Sequence, residues 1–462
     1  MPGGAESPAP GAAQAEVARE AVGRAESAGV RVVLLTFVDN AGVTRARAIP
    51  LRLFERAALR GVGLSSAWYT VTATDAVTSS PYVGNPTGDI RLLPDPGALR
   101  LLAAQPGWAW APTDQFNQDG TRHPCCSRSY LRKMAGRAAE SDLTLKISFE
   151  LEWFMAESAH GPAVPVHDGP AVGALPLIRL SEFVGELIEA LERQDVGVEA
   201  INGEYSNGQL ELAFAPTDPI AAADANVLTR LTIHALAASH GYRASFSPAF
   251  AGPMGNGGHV HLSVWQQGAN LFAGGDGPHG MTAAGAAFLA GLLGELPAMT
   301  AIGAPCAASY LRLLPSRWAG VYSCWGRENR EAALRFITGM AGTEGSAANA
   351  EVKCFDEAAN PYLLLGAFVA AGTAGVLSDR HLPDEYTTDP AADDPAALAR
   401  LGIRRLPARL DEAIEEMRGS KLLLDTMGPA LHDAFLAVRS AEANQFRDSS
   451  DEEIISAYRW RF

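Results

Sequence analysis

The sequence predicts an α+β protein built as a small unit followed by a larger one. Three observations carry the prediction. The chain has 462 residues, and at roughly 150 residues per domain that is room for about three domains, or two if one is large. Short segments with apolar residues at every second position, the mark of half-buried strands, alternate with longer helix-patterned segments. Near residues 120–124 a Gly- and Pro-containing break separates a short run of such elements from a long one. With 47% hydrophobic and 19% charged residues, the chain is far from the composition of disorder and can bury a substantial core.

Taken in order, residues 1–14 are Pro-, Ala- and Gly-rich and place no basic residue before an apolar run, so they are expected to be a flexible tail and not a secretory signal. Helical patterning over 15–28 leads to a β-branched strand at 30–38, which turns at Asn40-Ala41-Gly42 into 43–49, a hairpin-like opening. The small unit continues through the Pro/Gly/Asp-rich segment 81–97 and a strand-like run at 108–111, giving a first domain over 15–122 and a second over 123–462. The second is expected to hold strands at 143–154, 209–214 and 259–265, helices at 127–141, 179–194, 217–240 and 282–293, and amphipathic helices at 410–425 and 428–441. An acidic, Pro-rich loop at 378–394 precedes the last two. Residues 360–378 are uncharged and approach transmembrane length, but they are rich in Gly and Ala and open with Asn360-Pro361, so a buried helix is expected and no membrane partner.

The 37 Lys and Arg against 52 Asp and Glu leave a formal charge of −15. That excess repels nucleic acid and anionic membrane surfaces, so neither is expected as a partner. Five cysteines, odd in number and without CxxC spacing, suggest neither a disulfide framework nor a thiolate zinc site, and fit a reducing cytoplasm.

The chemistry lies in five polar segments. In 143–154 the period-two pattern puts Leu145, Ile147, Phe149, Leu151 and Trp153 on one face and Ser148, Glu150 and Glu152 on the other. Such a strand is either half-exposed with a solvated acidic side or the wall of a site. Glu204 and Glu211 flank a Gly-containing loop, with Gln209 and Glu211 opposite Leu210, Leu212 and Phe214. A Gly-rich turn at 255–258 delivers His259 and His261 to one strand face. Cations follow at Arg312, Arg327, Arg330 and Arg335, each a candidate for a ligand contact or for a plain ion pair, and Glu351 and Lys353 share a strand face. Five acids with one or two imidazoles suit Mg²⁺ or Mn²⁺ better than zinc or copper. Arginines beside such ions suit phosphate, which they grip bidentately.

From about residue 30 onward the chain resembles the glutamine synthetase family. The resemblance rests on the order of Phe149-Glu-Leu-Glu152, the 204–211 segment, Gly257-Gly-His-Val-His261, Arg312-Leu-Leu-Pro315, Asn329-Arg330 through Arg335, and Glu351 to Lys353 followed by Asn360-Pro-Tyr362. It implies an N-terminal β-grasp domain before a large catalytic α+β domain, and a homo-oligomer, a dodecamer of two hexameric rings with active sites between neighbours. It further implies Glu152, Glu204 and Glu211 on one divalent metal, and Glu150, His259 and Glu351 on a second. His261 and Arg335 would meet the phosphates of ATP, Ser263 the base region, and Arg330 the transferring phosphoryl group. Arg312 and Lys353 would receive the glutamate α-carboxylate, with Gly255 near its amino group. The implied reaction is a two-step ligation in which glutamate is phosphorylated by ATP and an amine displaces the phosphate.

The departures from the family concern the amine. The two carboxylates of the ammonium pocket are replaced by Gly63, in Gly63-Leu64-Ser65-Ser66, and by Trp318. The family's Asn before the Gly-rich turn is Met254, one nucleotide-site Arg is Asn349, another Arg is Lys353, and the tyrosine that some members adenylylate aligns with Arg404. An amine pocket of Gly63, Ser65 and Trp318 would hold ammonium poorly, because so small an ion depends on Coulombic attraction. A small organic amine that buries carbon against Trp318 is therefore expected, with ethanolamine first because a polyamine's second ammonium needs an anion that these positions lack. A polyamine is the alternative, followed by ammonia and by a non-catalytic homologue.

Overall fold

The computed structural model describes residues 12–84, 87–158, 163–251 and 255–462, so most of the expected tail, and Met254, lie outside the described residues. The first sheet contains β1 (Val32–Val38), β2 (Thr44–Pro50), β3 (Val62–Ser65), β4 (Asp89–Pro94), β5 (Arg100–Leu101) and β6 (Trp108–Phe116). Their order is β2-β1-β6-β4-β3, with β5 on β6. The hairpin β1–β2 is antiparallel, whereas β1 and β6 run parallel at the centre, as in a β-grasp sheet. Helices Ala12–Ser27 and Phe54–Arg60 cover one face, burying Ala21, Ala25 and Phe54 against Val33, Leu35, Ala109 and Ala111.

The second sheet contains β7 (Thr144–Ala156), β8 (Val198–Gly203), β9 (Gln209–Phe214), β10 (Arg243–Ser245), β11 (Gly258–Gln266), β12 (Ala269–Asn270), β13 (Tyr322–Arg327), β14 (Ala332–Ile337) and β15 (Asn349–Val352). The order is β13-β14-β15-β11-β7-β9-β8, with β10 on β7 and β12 on β11. The pairs are antiparallel except β13 with β14. Leu145, Ile147, Phe149, Leu151 and Trp153 all point into the core, as the alternation requires. Helix Ala283–Gly303 is long and apolar enough to cross a membrane, but most of it is buried against helix Pro361–Leu377. Backbone fits against backbone there, because a Cβ on Gly291 would come within 2.2 Å of Ala371 O and one on Gly375 within 2.2 Å of Ala287 O.

Several boundaries differ from expectation. The 410–425 helix is two, Leu410–Gly419 and Lys421–Met427, because Ser420 turns extended and its Oγ caps the second by accepting from Leu423 N at 3.1 Å. The 179–194 helix breaks at Leu180 into Ala174–Arg179 and Ser181–Glu192, and the 282–293 helix runs on to Gly303 through Pro297.

The two sheets are joined through buried polar bonds. Arg128, opening helix Ser127–Glu140, donates to Asp224 Oδ1 and Oδ2 at 3.0 and 2.8 Å, to Asp114 at 3.3 Å and to Asp95 at 3.0 Å. Asn360 Nδ2 donates to the carbonyls of Val38 and Asp39, each at 3.0 Å. All five cysteines are free and buried.

Candidate active site

Strand register assembles the site. On β7 and β9, Glu152 faces Glu211; on β7 and β11, Glu150 faces His259. His261 of β11 faces Glu351 of β15, which in turn faces Arg335 of β14. Five neighbouring strands thus present their polar face at one place, with Glu204 carried by the loop after β8. Burial rules out a solvated acidic side: Glu152 is 6% exposed and Glu351 1%.

Ligand atoms of Glu152, Glu204 and Glu211 lie within 4.8 Å of one another, as do those of Glu150, Glu211 and His259, and of Glu150, His261 and Glu351. His259 Nδ1 is 3.3 Å from Glu150 Oε2 and 3.5 Å from Glu351 Oε1, so the expected second trio is also contiguous. So many carboxylates with so few cations cannot all ionise alone. Burial, then the charges of Glu152 and Glu150, push Glu204 up to about 7. Burial and the charges of Glu150, Glu152, Glu204 and Glu351 push Glu211 up to about 9. Burial also works against ionising Glu150, but His259 and His261 outweigh it and hold that carboxyl well below the usual range. For Glu351 burial is likewise outweighed, chiefly by Lys353, then His259 and His261. Hard oxygen donors that repel one another and retain protons fit a divalent cation, which would replace those protons.

The neighbouring cations are already engaged. Arg335 Nη1 is 3.0 Å from Glu351 Oε2 and Lys353 Nζ 2.8 Å from Glu351 Oε1, while Arg335 Nη2 reaches Glu328. Arg330 is exposed, and its charge acts on Glu204. Arg312 is buried, donates from Nη2 to Phe355 O at 2.6 Å and leaves Nε without a partner. Gly255 lies beside it, where a Cβ would come within 3.4 Å of Arg312 Cβ and 1.7 Å of Pro248 O, so only glycine fits. Ser263 opens on a cavity of about 270 Å³ shared with Glu150, His261, Asn349 and Lys146.

Gln209, Gly257 and Asn349 make contacts that their positions in the sequence do not show. Gln209 donates to Glu152 Oε2 at 2.7 Å, and the backbone N–H of Gly257 to the same oxygen at 2.8 Å, orienting that carboxylate. Asn349, where the family has an arginine, lies 2.9 Å from His261 Nδ1 through Oδ1. Their signal in the sequence was adjacency alone: Gln209 shares a strand face with Glu211.

The residues of the expected amine pocket lie on two elements. Gly63 and Ser65 lie on β3 of the first sheet, and the 3₁₀ turn Ser66–Thr70 after them packs against helix Pro429–Gln445. Trp318, 60% exposed, stands on the loop after Arg312, where Ser316, Trp318 and Gly320 all have positive φ. Its backbone N–H donates to Glu331 Oε1 at 2.8 Å.

Two family profiles match the chain: the glutamine synthetase N-terminal domain over residues 17–122 and the glutamine synthetase catalytic domain over 124–458. The chain is 47% identical over 461 residues to the gamma-glutamylpolyamine synthetase GlnA3 of Streptomyces coelicolor, covering 98% of this chain and 99% of that protein. Among solved structures it is similar to a glutamine synthase homologue, with a TM-score of 0.83, 30% identity, and coverage of 94% and 99% of the two chains. It is also similar to a GmaS–ADP complex, with a TM-score of 0.81 and 27% identity over 93% of this chain and 96% of that one.

Proposed function

Because the chain belongs to the glutamine synthetase family and is an ATP-dependent glutamate–amine ligase, we propose that it transfers the γ-glutamyl group to an organic amine, with a polyamine as the first candidate. The observation that carries this choice is the 47% identity over nearly the whole of both chains with a gamma-glutamylpolyamine synthetase. Ethanolamine stands second. Its case is that Gly63, Ser65 and Trp318 offer no anion for a second ammonium group.

Glu150, Glu152, Glu204, Glu211, His259 and Glu351 would hold two Mg²⁺ or Mn²⁺ ions. Bound there, such ions neutralise the phosphates of ATP and align an in-line transfer. Around them His261 and Arg335 hold phosphate oxygens, and Ser263 borders the cavity for the nucleotide base. Arg312 and Lys353 bind the glutamate α-carboxylate, with Gly255 leaving room for the amino group. Arg330 stabilises charge on the phosphoryl group as it moves to the γ-carboxylate, a contribution that commonly dominates such reactions. The amine, once it has lost its extra proton to solvent, attacks the acyl carbon through nitrogen, the bond from that carbon to the phosphate oxygen breaks, and one N–H proton leaves with the phosphate as hydrogenphosphate. Gly63 and Ser65 complete the acceptor side from a neighbouring subunit, in a dodecamer of two hexameric rings.

Phosphate release with ATP, glutamate and a panel of spermidine, putrescine, ethanolamine and ammonium tests this assignment. Turnover is expected to be greatest with a polyamine. Equal turnover with ammonium at the same concentration would overturn the organic-amine assignment, and a preference for ethanolamine would restore the second candidate.

A further inference from the structure

The acid missing from the acceptor side has a substitute in the fold. Glu331 follows Arg330 directly and is 8% exposed, so it is a buried carboxylate beside the group assigned to the phosphoryl. Its backbone N–H donates to Asn329 Oδ1 at 3.0 Å, and Asn329 Nδ2 donates to the carbonyls of Tyr386 and Thr388 at 2.8 and 3.0 Å, so its position is fixed. Only one of its oxygens is satisfied. Oε1 accepts from the Trp318 backbone, whereas Oε2 is buried with no hydrogen-bond partner. A carboxylate oxygen left in that state has lost its hydration without compensation, so it asks for a ligand.

The surroundings say what kind. The loop carrying Trp318 leans on the glutamate side of the site: a Cβ on Gly320 would fall 2.9 Å from Lys353 Cβ. Burial pushes the Glu331 carboxyl above its ordinary range, while the Trp318 backbone and, more weakly, Lys353 and the Ser316 backbone favour its ionised form; the Lys353 ammonium itself is 2.8 Å from Glu351 and not bonded to Glu331, so a bound cation would supply the counter-charge. A second carboxylate, Asp389, adds negative charge and ties the same loop by accepting from Ser316 Oγ at 2.7 Å. A cation with N–H donors that reaches Oε2 meets a free carboxylate oxygen, next to the loop that carries the exposed Trp318.

Resting on the ligase assignment above, we propose that Glu331 binds the reacting ammonium end of the acceptor amine through Oε2, taking over the charge that Gly63 and Trp318 do not supply. Glu331 then sets the preference for amines that arrive protonated, and Trp318 sets the preference for those with an alkyl chain.

The test compares the wild-type chain with Glu331→Gln and Asp389→Asn, using the best acceptor of the wild type and, separately, hydroxylamine, which is uncharged at the working pH. Gln retains an oxygen for the Trp318 N–H but lacks the charge. For Glu331→Gln the KM for the charged amine is expected to rise at least tenfold, that for hydroxylamine less than threefold, and those for ATP and glutamate about twofold or less. Asp389→Asn, which weakens the loop tie and removes a charge that the proposal does not place on the amine, is expected to change the charged-amine KM less than threefold. An unchanged amine KM in Glu331→Gln overturns the proposal. So does an equal loss with hydroxylamine, or an equal loss in Asp389→Asn, since either would mean that the Glu331 carboxylate is not the particular partner of the ammonium. The wild-type acceptor panel judges the ligase assignment independently of these ratios.

Discussion

Replacing Glu211 by Gln removes one charge from the cluster and almost no volume, and its effect on the metal-free protein should be opposite in sign to its effect on the metal-bound one. In the fold the Glu211 carboxyl is pushed up to about 9, from an ordinary value of 4.5, by burial and four neighbouring carboxylates. A carboxyl raised in this way keeps its proton in the folded state while the unfolded chain ionises, so it weakens folding progressively as pH rises from 4.5 to about 9. At 1.36 kcal/mol per pH unit, the cost at pH 7 is about 3 kcal/mol. Coulomb's law gives the same order, since two like charges at the 4.8 Å within which these ligand atoms all lie repel by about 3.5 kcal/mol at an effective dielectric constant of 20. Glutamine does not ionise in either state. With EDTA at pH 7, Glu211→Gln should therefore melt higher than the wild type, by on the order of 5 °C, and the gap should close towards pH 4.5. With saturating Mg²⁺ the order should reverse, because the ion stabilises the folded wild type by mass action and the variant has lost a ligand; ATP turnover should fall by roughly 10²-fold or more. A metal-free variant less stable than the wild type, or one that Mg²⁺ stabilises to the same extent, would refute the reasoning.

Titration of the metal-free chain with Mn²⁺ near pH 7 should release protons, mainly from Glu211 and partly from Glu204, whose carboxyl lies at about 7; calorimetry in two buffers of different ionisation enthalpy reads the release, which should fade above pH 9. Arg128→Met leaves Asp224 and Asp114 buried without their guanidinium and should cost about 3–5 kcal/mol of stability, seen as a large fall in melting temperature; a loss below about 1 kcal/mol would mean the network contributes little. Activity should track assembly on dilution if, as proposed, Gly63 and Ser65 of β3 complete the acceptor side of a neighbouring subunit's site; mass photometry with parallel turnover checks this, and a fully active monomer would contradict it.

Much of the catalytic cluster was legible in the sequence because strand geometry is periodic. Alternation put Glu150 and Glu152 on one face of β7 and His259 and His261 on one face of β11, and the order of motifs along the chain pointed to a family, a fold and a ligase chemistry. The breaks at Leu180 and Ser420 were not legible, since a single residue leaving helical backbone barely disturbs an amphipathic pattern.

What the sequence determined by itself is which polar groups share a strand face, because the period of two assigns each side chain of a strand to a face before the strand has partners. What only the tertiary structure decided is how those groups are paired and what their burial does to them. Register sets Glu152 opposite Glu211 and His261 opposite Glu351, and burial separates a carboxyl held at about 9 on Glu211 from one held low on Glu150. Glu331 belongs to the same class. In the chain it is one more acid after an arginine; folding buries it beneath the Trp318 loop with one oxygen unpaired. Such an environment is made by residues distant in sequence, and no local pattern encodes it.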